Sequence, residues 1–451
     1  MSDIVKVSAL LLGSALLMFA GGLQGLLISI RGGEEGFSLL ALGLIGTSWS
    51  VGYIAGTFVV PGMVSRVGHI RSFSVMAALA SMVILFNLLF IEQTSWIVLR
   101  AFSGFCFAGA AMIVESWLNE VTTSERRGTV FASYMMANFT FSTAGQMIIA
   151  ATGVQGYLPF VIGALGFALA VLPTALTVSA QPRPLARAKL DIGLLFRTSP
   201  IAVIATLGAG MAGGAFGTLA PVYGIQIGLD SATIAYLMSL SVVISAVGQM
   251  PIGRLSDTMD RRIVLVGVSA AAAASGIFLL IFNPGDGWLL WAMFALYGIG
   301  ANSIYPVAAA HANDFAQDGE YARIASSLIL LFGVGLATGP LFASMAMALI
   351  SPVGLFLVTA MVHGVVAIFA VIRIGLRKPA TEEERNPFHM QVDVKGATMQ
   401  TVVLNPQVEA DEVLDEMTEP GDEYIPPERD DVDENDMDND DITDEVMADK
   451  T

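Results

Sequence analysis

The stretch "GQMPIGRLSDTMDRR", Gly248 to Arg262, is where an apolar run stops and a charged turn begins. The same transition stands 192 residues earlier in "GTFVVPGMVSRVGHI", Gly56 to Ile70. Each closes a run of about 20 apolar residues, the helix length needed to cross a hydrocarbon layer roughly 30 Å thick. Only a helix or a closed barrel satisfies its own backbone there. In a chain that is 55% hydrophobic, twelve such runs are legible, at 7–30, 39–64, 72–91, 96–118, 128–151, 158–178, 201–224, 232–254, 263–282, 288–309, 323–349 and 353–374. The predicted class is an all-α integral membrane protein, its twelve transmembrane helices forming two pseudo-symmetric six-helix bundles.

Threading the runs in alternation places 20 of the 22 Lys and Arg residues on one side. The exceptions are Arg31, in an opposite loop, and Arg100, inside the fourth run. The positive-inside rule makes the loaded side cytoplasmic, so a multi-pass inner-membrane protein with both termini in the cytoplasm is expected. The first run resembles a signal-peptide core, but its length and the spans that follow make it an uncleaved helix.

The formal charge of −17 belongs to one segment. From Ala380 to Thr451 there are 24 acidic and four basic residues, which leaves 15 acidic against 18 basic elsewhere. Segment 379–451 is predicted to be a disordered, acidic cytoplasmic tail, because it has too little apolar surface to offset chain entropy. Its carboxylates lack the turn glycine of an EF-hand loop. A polar, basic linker at 179–200 separates an N-terminal bundle, 1–178, from a C-terminal bundle, 201–378. The linker ends in an amphipathic stretch, Leu190 to Phe196, suited to lying along a membrane surface. The repeat shows again where Trp96 falls on Trp288 and "AGQ" at Ala144 on "TGP" at Thr338. Parallel six-helix repeats joined by such a linker are one way secondary transporters build a midplane site between their halves.

Several classes are excluded. The chain has no phosphate-binding G-x-x-x-x-G-K-(S/T), no HExxH and no metal-ligand cluster, and its single cysteine, Cys106, rules out an internal disulfide. No enzyme, cofactor, metal or nucleic-acid partner is expected. The expected partners are a lipid bilayer, a small-molecule substrate and a proton or other ion gradient, with the chain acting as a monomer.

The repeated loops and their surroundings resemble the major facilitator superfamily. "GRLSDTMDRR", Gly253 to Arg262, is similar to its loop signature G-x-L-x-D-(R/K)-x-G-(R/K)-(R/K), with Thr258 and Asp260 replacing a basic residue and a glycine. The first copy keeps Arg66 and Gly68 but has Ser65 for the acid and Pro61 for the first glycine. "RAFSGFCFA" from Arg100 resembles the family's fourth-helix pattern, and "NEVTTSERRG", Asn119 to Gly128, the loop after it, with Glu120 and Arg127 in the family's positions. The resemblance spans Val7 to Lys378. It implies the twelve-helix fold and transport, with Arg66, Gly68, Glu120, Arg127, Gly253, Asp257, Arg261 and Arg262 as gating motifs. The G-x-x-x-G-P pattern of antiporter branches is missing from the fifth helix, "ANFTFSTAGQ", and a GP pair stands instead in the eleventh, Gly339 and Pro340. With "ESWLNE" and "YPVAAAHA", the pattern looks most like a bacterial permease branch.

An ionisable group at the bilayer centre costs about 3 kcal/mol even on a mild scale, so the few present carry most of the functional information. Arg100 and Glu115 lie fifteen residues apart on one helix, about 22 Å along its axis and about 60° around it, so both can face one cavity. Arg100 can bind an anionic group, relay a proton through a neighbour, or anchor backbone carbonyls. Glu115 can take up and release a proton during a cycle, or pair with Arg126 or Arg127 at a gate. In the tenth run Asn302 and Tyr305 share a face, Pro306 kinks the helix, and His311 is a proton acceptor or a hydrogen-bonded cap. Gln24, Asn138, Gln146, Tyr223 and Gln249 fit the same cavity or glue helices together. His363 is structural, on a helix facing lipid. Asp257 is expected to accept from the amides starting a neighbouring helix and to pair with Arg261 or Arg262, a clasp remade as the halves rock.

The expected function is secondary active transport of a small organic solute across the cytoplasmic membrane by alternating access, coupled to protons. The alternative is a non-transporting receptor or scaffold acting through the acidic tail.

Overall fold

The computed structural model describes residues 3–122, 126–175, 190–317 and 319–376. These residues form α1 (Asp3–Glu34), α2 (Leu39–Val67), α3 (His69–Leu89), α4 (Gln93–Val121), α5 (Arg127–Thr152), α6 (Leu158–Ala175), α7 (Ile192–Thr198), α8 (Pro200–Gln226), α9 (Ser231–Thr258), α10 (Arg261–Phe282), α11 (Trp288–Asn313), α12 (Tyr321–Leu349) and α13 (Gly354–Leu376). The short α7 is the amphipathic stretch expected at the end of the linker. The other twelve have 18 residues or more, and ten are long and apolar enough to cross a membrane. The remaining two, α5 and α11, carry Asn138 and Gln146, and Asn302 and His311. The acidic tail, linker residues 179–189 and the side chain of Arg127 lie outside the described residues.

Helix starts are set locally. Ser38, Glu92, Asp191, Ser199, Asp230 and Asp260 each accept a hydrogen bond from a first-turn amide, satisfying donors that a helix leaves orphaned. At Glu92 the Ser95 and Thr94 amides hold the exposed carboxyl down to about 2. Gly68 ends α2 and begins α3 at φ +86, a conformation L side chains rarely adopt, and its N–H closes onto the Val64 carbonyl at 2.8 Å.

The two halves pack alike. Pairing of α1 with α5, α2 with α4 and α3 with α6 is repeated by α8 with α12, α9 with α11 and α10 with α13. The register of this repeat is visible where helices touch most closely. A methyl group added at Gly145 would lie within 3.0 Å of the Phe19 carbonyl, and one at Gly339 equally close to that of Met211. Gly22 against Ser142 is matched by Gly214 against Leu336, and Gly104 against Trp49 by Gly298 against Ser241. Thus α1 and α2 map onto α8 and α9 with a shift of 192, and α4 and α5 onto α11 and α12 with a shift of 194.

This register corrects the tryptophan match. Trp96 is fully buried and donates to the Asn87 carbonyl, whereas Trp288 is 76% exposed. With the shift of 194, Trp96 corresponds to Leu290, which is fully buried.

Candidate functional site

Helices α1, α2, α4 and α5 of the first half face α8, α9, α11 and α12 of the second across a cavity of about 250 Å³. At the end away from the basic loops the halves touch. There the Thr47 hydroxyl donates to the Ala337 carbonyl at 2.7 Å, the Ser239 hydroxyl to Gln146 Oε1 at 3.2 Å, and Gly46 abuts Thr218. At the basic end Ser65, Arg66 and Arg254 are exposed.

Four of the expected pathway residues line the cavity: Gln24, Arg100, Asn302 and Tyr305, joined by Gln146. Arg100 lies over the Trp49 ring, 5.7 Å from its centroid. Asn302 and Tyr305 share a face of α11, as their spacing requires. Trp49, Phe107, Phe216 and Tyr297 also line the space. Sequence reasoning missed them because an aromatic in an apolar helix carries no mark of facing a cavity rather than lipid.

Glu115, Asn138 and His311 are not among the cavity-lining residues. Glu115 is fully buried and accepts from the Tyr134 hydroxyl at 2.7 Å. Tyr134 also bonds Asn138, one turn along α5, and Asn138 accepts from Ser14 at 2.7 Å. A buried polar string therefore runs from α1 through α5 to α4, inside the first half. His311 Nδ1 lies 2.8 Å from the hydroxyl of Ser199, the residue that caps α8. Tyr223 and Gln249 are buried outside the cavity, the former donating to Asn283 at 2.8 Å. His363 is fully buried edge-on against Tyr297, 5.6 Å between centroids, on a helix whose Met361, Val365 and Ile368 are exposed.

The loop motif is rebuilt by the structure. Arg261 is buried, donating to both carboxylate oxygens of Asp314 at 2.6 and 3.2 Å and to the Ser256 hydroxyl at 2.9 Å. The exposed Asp257 is a looser partner at 3.5 Å. Arg262 is held by Asp260 and donates to the Arg373 carbonyl at 2.9 Å. Burial works against the charged form of Asp260, but hydrogen bonds and charge from Arg262 hold its carboxyl below the usual range. The residue that neutralises Arg261 is thus Asp314 at the end of α11. By the register above, Asp314 corresponds to Glu120, and Arg261 to His69. In the first half, Glu120 is exposed while His69 is buried 6.2 Å from Trp117. The first copy is worn on both sides of the pair.

Comparison with known proteins agrees with this architecture. The Major Facilitator Superfamily family model matches residues 10–232 and 202–408. The "uncharacterized MFS-type transporter YcaD" of Shigella flexneri serotype 5b (strain 8401) is 27% identical over 358 residues, covering 79% of this chain and 92% of that protein. Its Escherichia coli O139:H28 counterpart shows the same identity and coverage. Among solved structures, a mutant of the nucleoside transporter NupG superposes with a TM-score of 0.68 at 13% identity, over 81% of this chain and all of that one. A bacterial homologue of the human lysosomal transporter Spinster, in an inward-facing and occupied conformation, gives 0.65 at 16% identity, over 84% and 97%. The chain belongs to the Major Facilitator Superfamily, and it is a multi-pass membrane transporter with no enzymatic activity.

Proposed function

We propose that this member of the superfamily is a secondary transporter that moves a small organic solute through the cavity by alternating access, coupled to protons. The observation that carries the reading is the asymmetry of the cavity, whose halves meet at the end away from the basic loops. With those loops and both termini in the cytoplasm of a cell whose inner membrane it spans, the state described is inward-facing. Substrate would enter or leave when that contact opens and the basic ends close.

A substrate-free test uses accessibility. Asn302→Cys in a Cys106→Ser background places one thiol in the cavity. A membrane-impermeant maleimide is expected to label it at least about tenfold faster in inverted vesicles than in intact cells, reflecting the majority conformation. A wedge, Gly46→Trp, forces the halves apart at Thr218 and is expected to shift labelling toward the outside. Faster labelling from outside without the wedge sinks the assigned orientation.

We assign the coupling proton to Glu115. Among the described residues the buried carboxylates are Glu115 and Asp314, and Asp314 is committed to Arg261. Glu115 reaches α1 and α5 through Tyr134 and Asn138, so a change in its charge is felt by helices that line the cavity. Glu115→Gln keeps the hydrogen bond but cannot ionise. The wild-type labelling ratio is expected to differ between about pH 5.5 and 8 and the variant's to stay constant, since only a titrating group links conformation to pH. A Glu115→Gln profile identical to wild type would leave the residue a structural partner of Tyr134.

A further inference from the structure

We infer that the cavity takes an organic monoanion, a carboxylate-type head held by Arg100 and Gln24 on an aromatic or branched apolar body. The inference rests on reading the cavity as the solute's path.

Charge balance sets the sign. Among the described residues Arg100 is the one charged residue lining the cavity, whose wall includes no Asp, Glu, Lys or His from that set. Among the described residues no carboxylate or carbonyl pairs with Arg100, and its contact is the face of Trp49. A cation held within the membrane without an anion is costly, and an aromatic face offsets that cost only in part. An entering anion removes it, a neutral solute leaves it standing, and a cation adds repulsion. The wall therefore favours one negative charge, and it offers no second cation for a dianion.

Hydrogen bonding sets the shape of the head. Gln24 is buried, its Oε1 held by the Ser103 hydroxyl at 2.7 Å, and its Nε2 has no partner among the described residues. A buried donor without an acceptor costs free energy until one arrives. Ser103 stands one turn beyond Arg100 on α4, so one helix positions both donors. Gly25, next to Gln24, keeps the space open: Arg100 Nη2 lies 3.8 Å from where its Cβ would be. A guanidinium fork and an amide at this α1–α4 junction suit a small planar acceptor group. Phe107, Phe139, Phe216, Tyr297 and Phe332, which also line the cavity, supply the apolar wall for the body.

The test is calorimetric titration of the purified full chain in lipid nanodiscs with benzoate, 2-naphthoate and 4-methylpentanoate. Each is run against the primary amide and primary amine of the same skeleton. At least one carboxylate is expected to bind about tenfold or more tighter than both of its counterparts. Arg100→Gln is expected to weaken it by at least about 30-fold, the usual loss when one member of a desolvated charge pair is removed. Gln24→Glu guards against a folding defect: it is nearly isosteric, keeps Ser103 as partner and supplies Arg100 with a built-in anion. This variant is expected to unfold no earlier than wild type and to lose carboxylate binding to the same extent. Amides or amines bound as well as carboxylates, Gln24→Glu binding like wild type, or no binding anywhere in the panel would each overturn the inference. Binding is measured without a gradient or a second conformation, so these outcomes are separate from the labelling experiment that decides the transport reading.

Discussion

Replacing Asp314 with alanine is expected to cost about 3–5 kcal/mol of folding stability, because it strands the buried Arg261 guanidinium without its carboxylate. Two hydrogen bonds join the pair, and both side chains are almost entirely out of solvent. Asp257→Ala supplies the contrast. It removes a carboxylate that is 42% exposed and 3.5 Å from the same arginine, so a change of only about 0–1 kcal/mol is expected. Chemical unfolding of both variants in one detergent measures the difference. Equal losses would mean that Asp257 and Asp314 share the charge of Arg261 evenly. Arg261→Met combined with Asp314→Leu should recover most of the loss, since a buried ion pair can be replaced by apolar groups of similar volume at little cost.

The second large effect is expected at Gly339. The Cβ of Gly339→Ala meets the Met211 backbone within 3.0 Å. No rotamer relieves that overlap, so α8 and α12 must separate. Overpacking of this kind costs typically about 1–3 kcal/mol and sometimes more, and it falls on the most extensive helix pair of the second half. Gly267→Ala and Gly364→Ala meet no atom within 4 Å. They are expected to stabilise by about 0.5–1 kcal/mol, the ordinary gain from removing a helical glycine. Thermal unfolding that ranks Gly339→Ala with those two would show that the helices slide freely at this contact.

Much of the fold was legible because its signals are local. The run at 39–64 lies within α2, Leu39–Val67, and the amphipathic stretch that ends the linker overlaps α7, Ile192–Thr198. Apolar length and capping side chains act within a few residues, so no tertiary knowledge was needed. The cavity was half legible. Gln24, Arg100, Asn302 and Tyr305 were visible because polar groups are scarce in such helices, but scarcity does not say which neighbour a side chain meets. Glu115 and Asn138 turn toward each other through Tyr134, an aromatic that its apolar helix does not mark as a polar partner. The Arg261 partner was hidden by a sequence separation of 53 residues. Only a correct repeat register, with Asp314 on Glu120, would have pointed to it, and the Trp96 to Trp288 match set that register two residues off.

The paired glycine contacts also divide the two positions of each contact into a constrained one and a free one. In each, one partner contributes a backbone carbonyl, which every amino acid carries, and the other contributes an absence of side chain, which only glycine can. Drift is therefore free on one side and forbidden on the other. Phe19 and Met211, or Ser142 and Leu336, share little chemistry, yet their carbonyls occupy equivalent places against Gly145 and Gly339, and against Gly22 and Gly214. The equivalence of the two halves is written in shared vacant volume where few letters are shared.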